Sequence, residues 1–125
     1  MKFFSIITLL LSLSLPAYAY PWQYRSTRHL KNSASSDQHP DNDLLLHVTQ
    51  PTKFTAILTG DADVDLYMYL YRDGKWIEVA RSNSEHWNEF LSYQSNETDA
   101  LYAWFVVLRS PNTTGGTYTL DIVGI

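Results

Sequence analysis

Three aspartates spaced two residues apart are the clearest candidates for metal chemistry in this sequence. Asp61, Asp63 and Asp65 lie within residues 60–65, immediately before an apolar stretch. Carboxylate oxygens grouped this closely suit Ca²⁺, which prefers hard oxygen ligands. The glycine and glutamate of an EF-hand loop do not follow. One interpretation is therefore a calcium site of another type, and the other is a solvated turn in which an aspartate caps backbone N–H groups.

Tyrosines alternate with aliphatic residues over residues 66–71. This period of two predicts a strand with one tyrosine face and one aliphatic face. If the aliphatic face is buried, Tyr67, Tyr69 and Tyr71 line a sheet surface that suits peptide or sugar binding. If the tyrosines face the core, their rings only pack. The sequence leaves both arrangements open, because leucine and methionine bury at least as readily. Trp76 and Trp87 could extend the tyrosine surface.

The sequence lacks the motifs of common catalytic sites. It contains no cysteine and no Gly-x-Ser-x-Gly motif that would mark a serine nucleophile. His86 and Glu89, with Glu85 beside them, have no obvious third partner, whereas a zinc site needs three or four converging ligands. We interpret these three as solvated loop residues and expect no enzymatic function.

Residues 1–19 have the three-part layout of a secretory signal peptide. Lys2 gives a positive start, residues 3–15 are almost entirely apolar, and Ala17-Tyr18-Ala19 forms a cleavage site. As a helix the apolar run would span about 20 Å, short of the ~30 Å hydrocarbon core. We expect cleavage after Ala19, export to the periplasm or the medium, and no membrane insertion afterwards. A cysteine-free exported chain fits a bacterial origin, because small animal secreted domains are rich in disulfides.

Two segments follow the signal peptide. Residues 20–43 are rich in polar residues and proline and show no structural period, which predicts a flexible leader. The aromatic rings within residues 20–24 could pack onto the domain that follows or dock a partner, and packing is the commoner fate of such a cluster. Residues 37–125 carry five basic and 13 acidic side chains, a net charge of −8. Nucleic-acid binding is not expected, because it requires neutralisation of phosphates.

The elements that would position the candidate residues are predicted to be strands. Residues 44–125 form the predicted domain, in which apolar and polar residues alternate with a period of two. Residues 102–108 are apolar on both faces, which is typical of a central strand and places Trp104 in the core. Asp73-Gly74 lies between two alternating stretches and predicts a two-residue hairpin turn. The pattern predicts an all-β sandwich.

Three short blocks resemble a known family. Residues 60–67, Gly-Asp-Ala-Asp-Val-Asp-Leu-Tyr, resemble the Gly-Asp-x-Asp-Leu-Tyr segment that begins a strand in bacterial pre-peptidase C-terminal (PPC) domains. Residues 82–84 followed by 89–91 resemble that family's Ser/Asn-rich loop before a Glu-hydrophobic strand. Residues 116–120 are similar to its closing Gly-x-Tyr-x-Leu strand. The blocks occur in the family's order and cover roughly residues 44–124.

The alternating stretches predict about seven to eight short strands, and the resemblance implies a jelly-roll-like β-sandwich that serves as an accessory to secreted enzymes. The sequence departs from the family pattern in residues 99–104, which lack the usual Gly-Thr-Tyr start, and in the extra residues 85–88. We expect an exported, non-catalytic binding or accessory module for protein or peptide partners, with the tyrosine face as its site. A carbohydrate-binding module and a structural envelope or matrix protein without a small ligand are the alternatives.

Overall fold

The computed structural model describes residues 21–31, 36–41, 45–84, 88–108 and 116–125. These residues form two antiparallel sheets, and no helix among them is long and apolar enough to cross a membrane. The predicted signal peptide, residues 1–19, lies outside the described residues. The nine strands of the described part are β1 (Trp22–Leu30), β2 (Ser36–His39), β3 (Leu46–Val48), β4 (Thr52–Gly60), β5 (Val64–Arg72), β6 (Lys75–Ser82), β7 (Glu89–Ser95), β8 (Ala100–Leu108) and β9 (Gly116–Gly124).

The strand order is that of a jelly roll. One sheet has the order β1-β9-β4-β7 and the other β2-β8-β5-β6, with the short β3 also paired to β8. Apart from β3, the strands pair concentrically: β1 with β9, β2 with β8, β4 with β7, and β5 with β6. Such pairing results when one long hairpin wraps around a core. The predicted jelly-roll-like β-sandwich is confirmed, with nine described strands where about seven to eight were expected.

Residues 22–30 and 36–39 belong to the sandwich, whereas the sequence predicted a flexible leader over residues 20–43 and a domain over residues 44–125. β1 and β2 lie within residues 20–43, and β1 pairs along its whole length with β9. Trp22 and Tyr24 pack against the hydrophobic core, as expected for the aromatic start of this segment. The strand escapes sequence analysis because two of its inward positions, Ser26 and Arg28, are polar, so its alternation in burial has no matching alternation in hydropathy.

The core lies between the two sheets and is dominated by large rings. Trp104 is fully buried, as predicted. Its ring meets that of Phe54 edge to face, with 5.2 Å between centroids, and stacks on Trp22 at 6.3 Å. Edge-to-face and offset-stacked pairs are the favoured arrangements of aromatic rings. The N-terminal strand is thus held to the sandwich by ring packing as well as by its pairing with β9.

The predicted hairpin joins β5 and β6. Asp73 and Gly74 have φ values of 54° and 73°, the two positive angles of a type I′ turn. This turn places Tyr71 directly opposite Trp76. The local sequence therefore determines which aromatic side chains become neighbours across these two strands.

A hydrogen-bonded histidine connects the edge strands β1 and β2. His39 is fully buried. Its Nδ1 accepts from the Tyr24 hydroxyl at 2.7 Å, and its Nε2 donates to the Tyr118 hydroxyl at 2.6 Å. That hydroxyl in turn donates to Asp37 Oδ2 at 2.7 Å. These roles require a neutral ring protonated at Nε2. Burial is the main cause that lowers the pKa of His39 to about 4. The positive charge of Arg28 lowers this pKa further, whereas the charges of Asp37 and Asp41 act in the opposite direction.

We expect the unfolding free energy to fall as the pH is lowered from 7 to 4. The unfolded chain protonates His39 near pH 6.5, whereas the folded protein resists protonation until about pH 4. The unfolded state therefore binds more protons in this window, and the loss by pH 4 amounts to about 3 kcal/mol. Urea unfolding at pH 7, 5.5 and 4 measures it. His39→Gln, which keeps a donor and an acceptor but does not titrate, should show a shallower slope; equal slopes would contradict the assignment.

Candidate functional site

The burial of β5 decides which of its two faces is the core. Leu66 and Met68 are fully buried between the sheets, whereas Tyr67, Tyr69 and Tyr71 are partly exposed on the outer surface of the five-stranded sheet. Of the two arrangements that the sequence left open, the structure has the tyrosines outside. Their rings are joined by two others, and we call this set of five the aromatic face: Tyr67, Tyr69, Tyr71, Trp76 and Phe105.

Trp76 lies at the centre of the aromatic face. Its ring centroid is 4.9 Å from that of Tyr71, 6.2 Å from Tyr69 and 5.5 Å from Phe105, and all three pairs meet edge to face. The interplanar angles are 60°, 84° and 89° respectively. Trp76 is still 43% exposed. The rings therefore form a ridged apolar surface that remains open to a partner.

Sequence analysis missed Phe105. It lies in β8 directly opposite Tyr67, and its ring is 5.3 Å from that of Tyr69. The available signal was its position next to Trp104: adjacent residues of a strand point to opposite faces, so a buried Trp104 implies an outward Phe105. Trp87, the other predicted extension of the tyrosine surface, lies outside the described residues.

Polar groups border the aromatic face. The Arg81 guanidinium lies over the Tyr67 ring, 5.4 Å from its centroid, and donates to both oxygens of Glu78 at 2.6 and 2.9 Å. Burial, followed by the charge of Asp65, raises the pKa of Tyr67. Its hydroxyl is therefore protonated at neutral pH and can donate a hydrogen bond. An aromatic centre with a polar rim is the composition found at protein–protein interfaces.

The three predicted metal-binding aspartates are divided in the structure. Asp63 and Asp65 lie together with Glu89, and one carboxylate oxygen of each residue lies within 4.8 Å of those of the other two. We call these three residues the carboxylate cluster. Asp61 lies apart from it, in the turn before β5, where its Oδ1 accepts a hydrogen bond from the backbone N–H of Thr117 at 2.8 Å. The interpretation as a capping aspartate therefore describes Asp61, whereas the other two have a carboxylate neighbour from β7.

Glu89 is not a solvated loop residue, so that prediction is wrong. It is the first residue of β7 and only 3% exposed. Its carboxylate accepts hydrogen bonds from Ser82 Oγ at 2.5 Å and from Ser84 Oγ at 3.0 Å. A signal was present in the sequence: Glu89 is two residues from the buried Leu91, so both point inward.

The carboxylate cluster has the chemistry of a site for a hard divalent cation. Asp65 is 5% exposed, so two of its three members are buried. The Oδ1 atom of Asp63 is inaccessible to solvent and has no hydrogen-bond partner among the described residues. Three acidic groups at this separation repel one another strongly in a medium of low dielectric constant. A bound cation with oxygen ligands would relieve that repulsion.

Comparison with known proteins adds no functional assignment. No family model matches the chain, and no curated protein is significantly similar to it. The aromatic face and the carboxylate cluster are therefore the features from which a function can be inferred.

The two faces of β5 should differ in their contribution to stability. We expect Leu66→Ala to lower the unfolding free energy by about 3 kcal/mol, because it leaves a cavity in a fully buried position. Tyr69→Ala should cost only about 1 kcal/mol, because its ring packs against two others on a partly exposed surface. Urea denaturation of both variants measures the difference. An equal cost would mean that the tyrosine rings are structural.

Proposed function

We propose that this protein is an exported, non-catalytic binding module that holds a protein or peptide partner on its aromatic face. The observation that carries the proposal is the group of five rings on the outer surface of the five-stranded sheet, whose opposite face is already buried in the core between the sheets. Because the core is complete without these rings, their accessible edges are available for binding. Aromatic residues are enriched among the residues that dominate binding energy at protein interfaces.

The angles between the rings favour a peptide over a glycan. A sugar chain binds best to rings whose faces are parallel, so that successive sugar units can stack on them. Here Trp76 is nearly perpendicular to both Tyr69 and Phe105. Ridges and grooves of this kind accept side chains inserted between rings. A carbohydrate-binding role is therefore the alternative, and not the first choice.

The resemblance to PPC domains supports the same assignment. Residues 60–67 and 116–120 carry two of the three similar blocks, and they form the start of β5 and of β9. A jelly-roll-like sandwich is the architecture that this resemblance implies. In that family such modules act as accessories to secreted enzymes, and an accessory role for this chain agrees with a binding face that contains no catalytic group.

We expect substitutions in the aromatic face to abolish partner binding without unfolding the protein. Residues 20–125, immobilised and exposed to envelope extract and culture fluid of the native host, should retain a protein that Trp76→Ala and Tyr69→Ala variants do not retain. Phe90→Ala is the matched control, because Phe90 is a 60% exposed ring on the other sheet. Equal retention by all three variants, or retention of oligosaccharides instead of protein, would contradict the proposal.

We further propose that the carboxylate cluster binds Ca²⁺. The proposal is supported by three carboxylates within 4.8 Å and by the buried Asp63 oxygen that lacks a hydrogen-bond partner among the described residues. The residues that would hold the ion are Asp63, Asp65 and Glu89. They connect the start of β5 with the start of β7, so the ion would stabilise the packing of the two sheets at that end.

Calcium should raise the melting temperature if the cluster binds it. At millimolar Ca²⁺ and an affinity typical of extracellular sites, binding only to the folded state adds about 1 kcal/mol, a shift of several degrees in melting temperature relative to chelator. Asp63→Asn should remove the shift. Asp61→Asn should keep it, since Asp61 lies outside the cluster. A melting temperature that does not respond to Ca²⁺ would exclude the site.

A further inference from the structure

We propose that the partner binds as an additional β-strand along β6, beside the aromatic face. This inference rests on the proposed function and specifies how the peptide is held. β6 is an edge strand: within the described residues it pairs with β5 alone. Its first four residues, Lys75 to Glu78, are all exposed. An exposed edge strand presents unpaired backbone N–H and C=O groups to any extended segment that approaches it.

The hairpin determines which backbone groups of β6 point outward. In a two-residue type I′ hairpin the residues that flank the turn, Arg72 and Lys75, form a hydrogen-bonded pair. Bonded and non-bonded pairs then alternate, so Ile77 bonds to Leu70 across the ladder. The N–H and C=O groups of Trp76 and Glu78 therefore point away from β5 and are oriented toward an incoming strand.

Large apolar side chains are exposed on both faces of this edge. Trp76 belongs to the aromatic face and is 43% exposed. Ile77 lies opposite Leu70, on the core side, and is 44% exposed. An added strand would cover both at once, because its own side chains alternate between the two faces. A partner lying only on the outer surface of the sheet would cover Trp76 but would leave Ile77, on the other face, exposed.

The second half of β6 is less suited to pairing. The register with β5 shifts between Met68 and Tyr69, which places an irregularity after Glu78. Ser82, at the end of the strand, is hydrogen-bonded to Glu89 of β7. Bulges and contacts of this kind obstruct edge pairing. The structure thus limits the edge that is available for pairing to residues 75–78, the part of β6 that contains Trp76.

The net charge of the domain and the two faces of β6 indicate which kind of segment would bind. Residues 37–125 carry five basic and 13 acidic side chains, so a segment with net positive charge is favoured. Apolar side chains must occur at adjacent positions to contact Trp76 on one face and Ile77 on the other, because neighbouring residues of a strand point to opposite faces. The occupant is therefore an extended, basic segment of another protein with apolar residues near its centre.

A selected peptide can test strand addition. The probe is the tightest binder that residues 20–125 select from a displayed library of random twelve-residue peptides. Glu78→Pro removes one outward N–H, and its matched control Glu78→Ala removes the same carboxylate but keeps that N–H. We expect Glu78→Pro to weaken binding at least tenfold and Glu78→Ala to change it less than twofold, with Kd measured by fluorescence anisotropy.

A second measurement uses the unaltered protein and does not depend on the folding of a proline variant. Two versions of the same peptide carry N-methyl groups on alternate residues, one version offset from the other by a single position. In an added strand only one set of N–H groups faces β6, so one version should lose at least tenfold in affinity and the other should keep it. Equal affinities of the two versions would overturn strand addition.

The outcomes separate this inference from the proposed function. If Tyr69→Ala abolishes binding but Glu78→Pro and both methylated peptides bind normally, the aromatic face binds without β6, and only the present inference fails. If the library yields no binder, both fail. If sedimentation shows a dimer of the unaltered protein that Glu78→Pro dissociates, a second copy of the chain occupies the edge, and the assignment to another protein is overturned.

Discussion

The pairing of β5 with β8 determines both surfaces of the five-stranded sheet. Met68 is opposite Trp104 on the core side, and Tyr67 is opposite Phe105 on the outer side. Because side chains alternate along a strand, a slip of one residue would place tyrosines between the sheets and expose leucine and methionine. The burial of the aliphatic residues is therefore what exposes the aromatic ones. The type I′ turn then adds Trp76 to the same surface, without further constraint from distant parts of the chain.

Features that depend on neighbouring residues could be predicted from the sequence, and features that depend on distant residues could not. The alternation of β5, the Asp73-Gly74 turn and the apolar strand around Trp104 are local patterns, and all three are confirmed. The outward orientation of the tyrosines depends on the partner strand. β1 was missed because its inward positions include the polar residues Ser26 and Arg28, so the strand is recognised only through its pairing with β9.

Dependence on distant residues also explains why the sequence did not predict that Asp61 would lie apart from Asp63 and Asp65. Their spacing suggests one site, but Asp61 lies in the turn and accepts from Thr117, whereas Asp63, just before β5, and Asp65, within it, meet Glu89 from β7. Buried polar groups need partners, and here the partners come from other elements: serines for Glu89, and two tyrosines for His39. Each buried group forms these hydrogen bonds with its partners in only one arrangement of the strands. Such polar groups therefore act against alternative strand registers, a role that an apolar core alone fills less strictly.

The edges of the two sheets are protected unequally, and this inequality connects the fold to the proposed binding of a partner strand. At one side of the sandwich, Tyr24 and His39 join β1 to β2, and an ion pair between Arg28 and Asp41 adds to the link. At the other side, Glu89 secures the end of β6 but leaves its beginning open. Exposed apolar residues on an open edge favour aggregation, so natural sheets usually avoid them. A partner strand that covered this edge would bury these apolar residues and so remove the tendency to aggregate. Its backbone would supply affinity independent of sequence, while the ridges between the rings would select the spacing of its side chains. Such a site tolerates changes in the partner's sequence far better than changes in its backbone, a property that no glycan-binding surface would share.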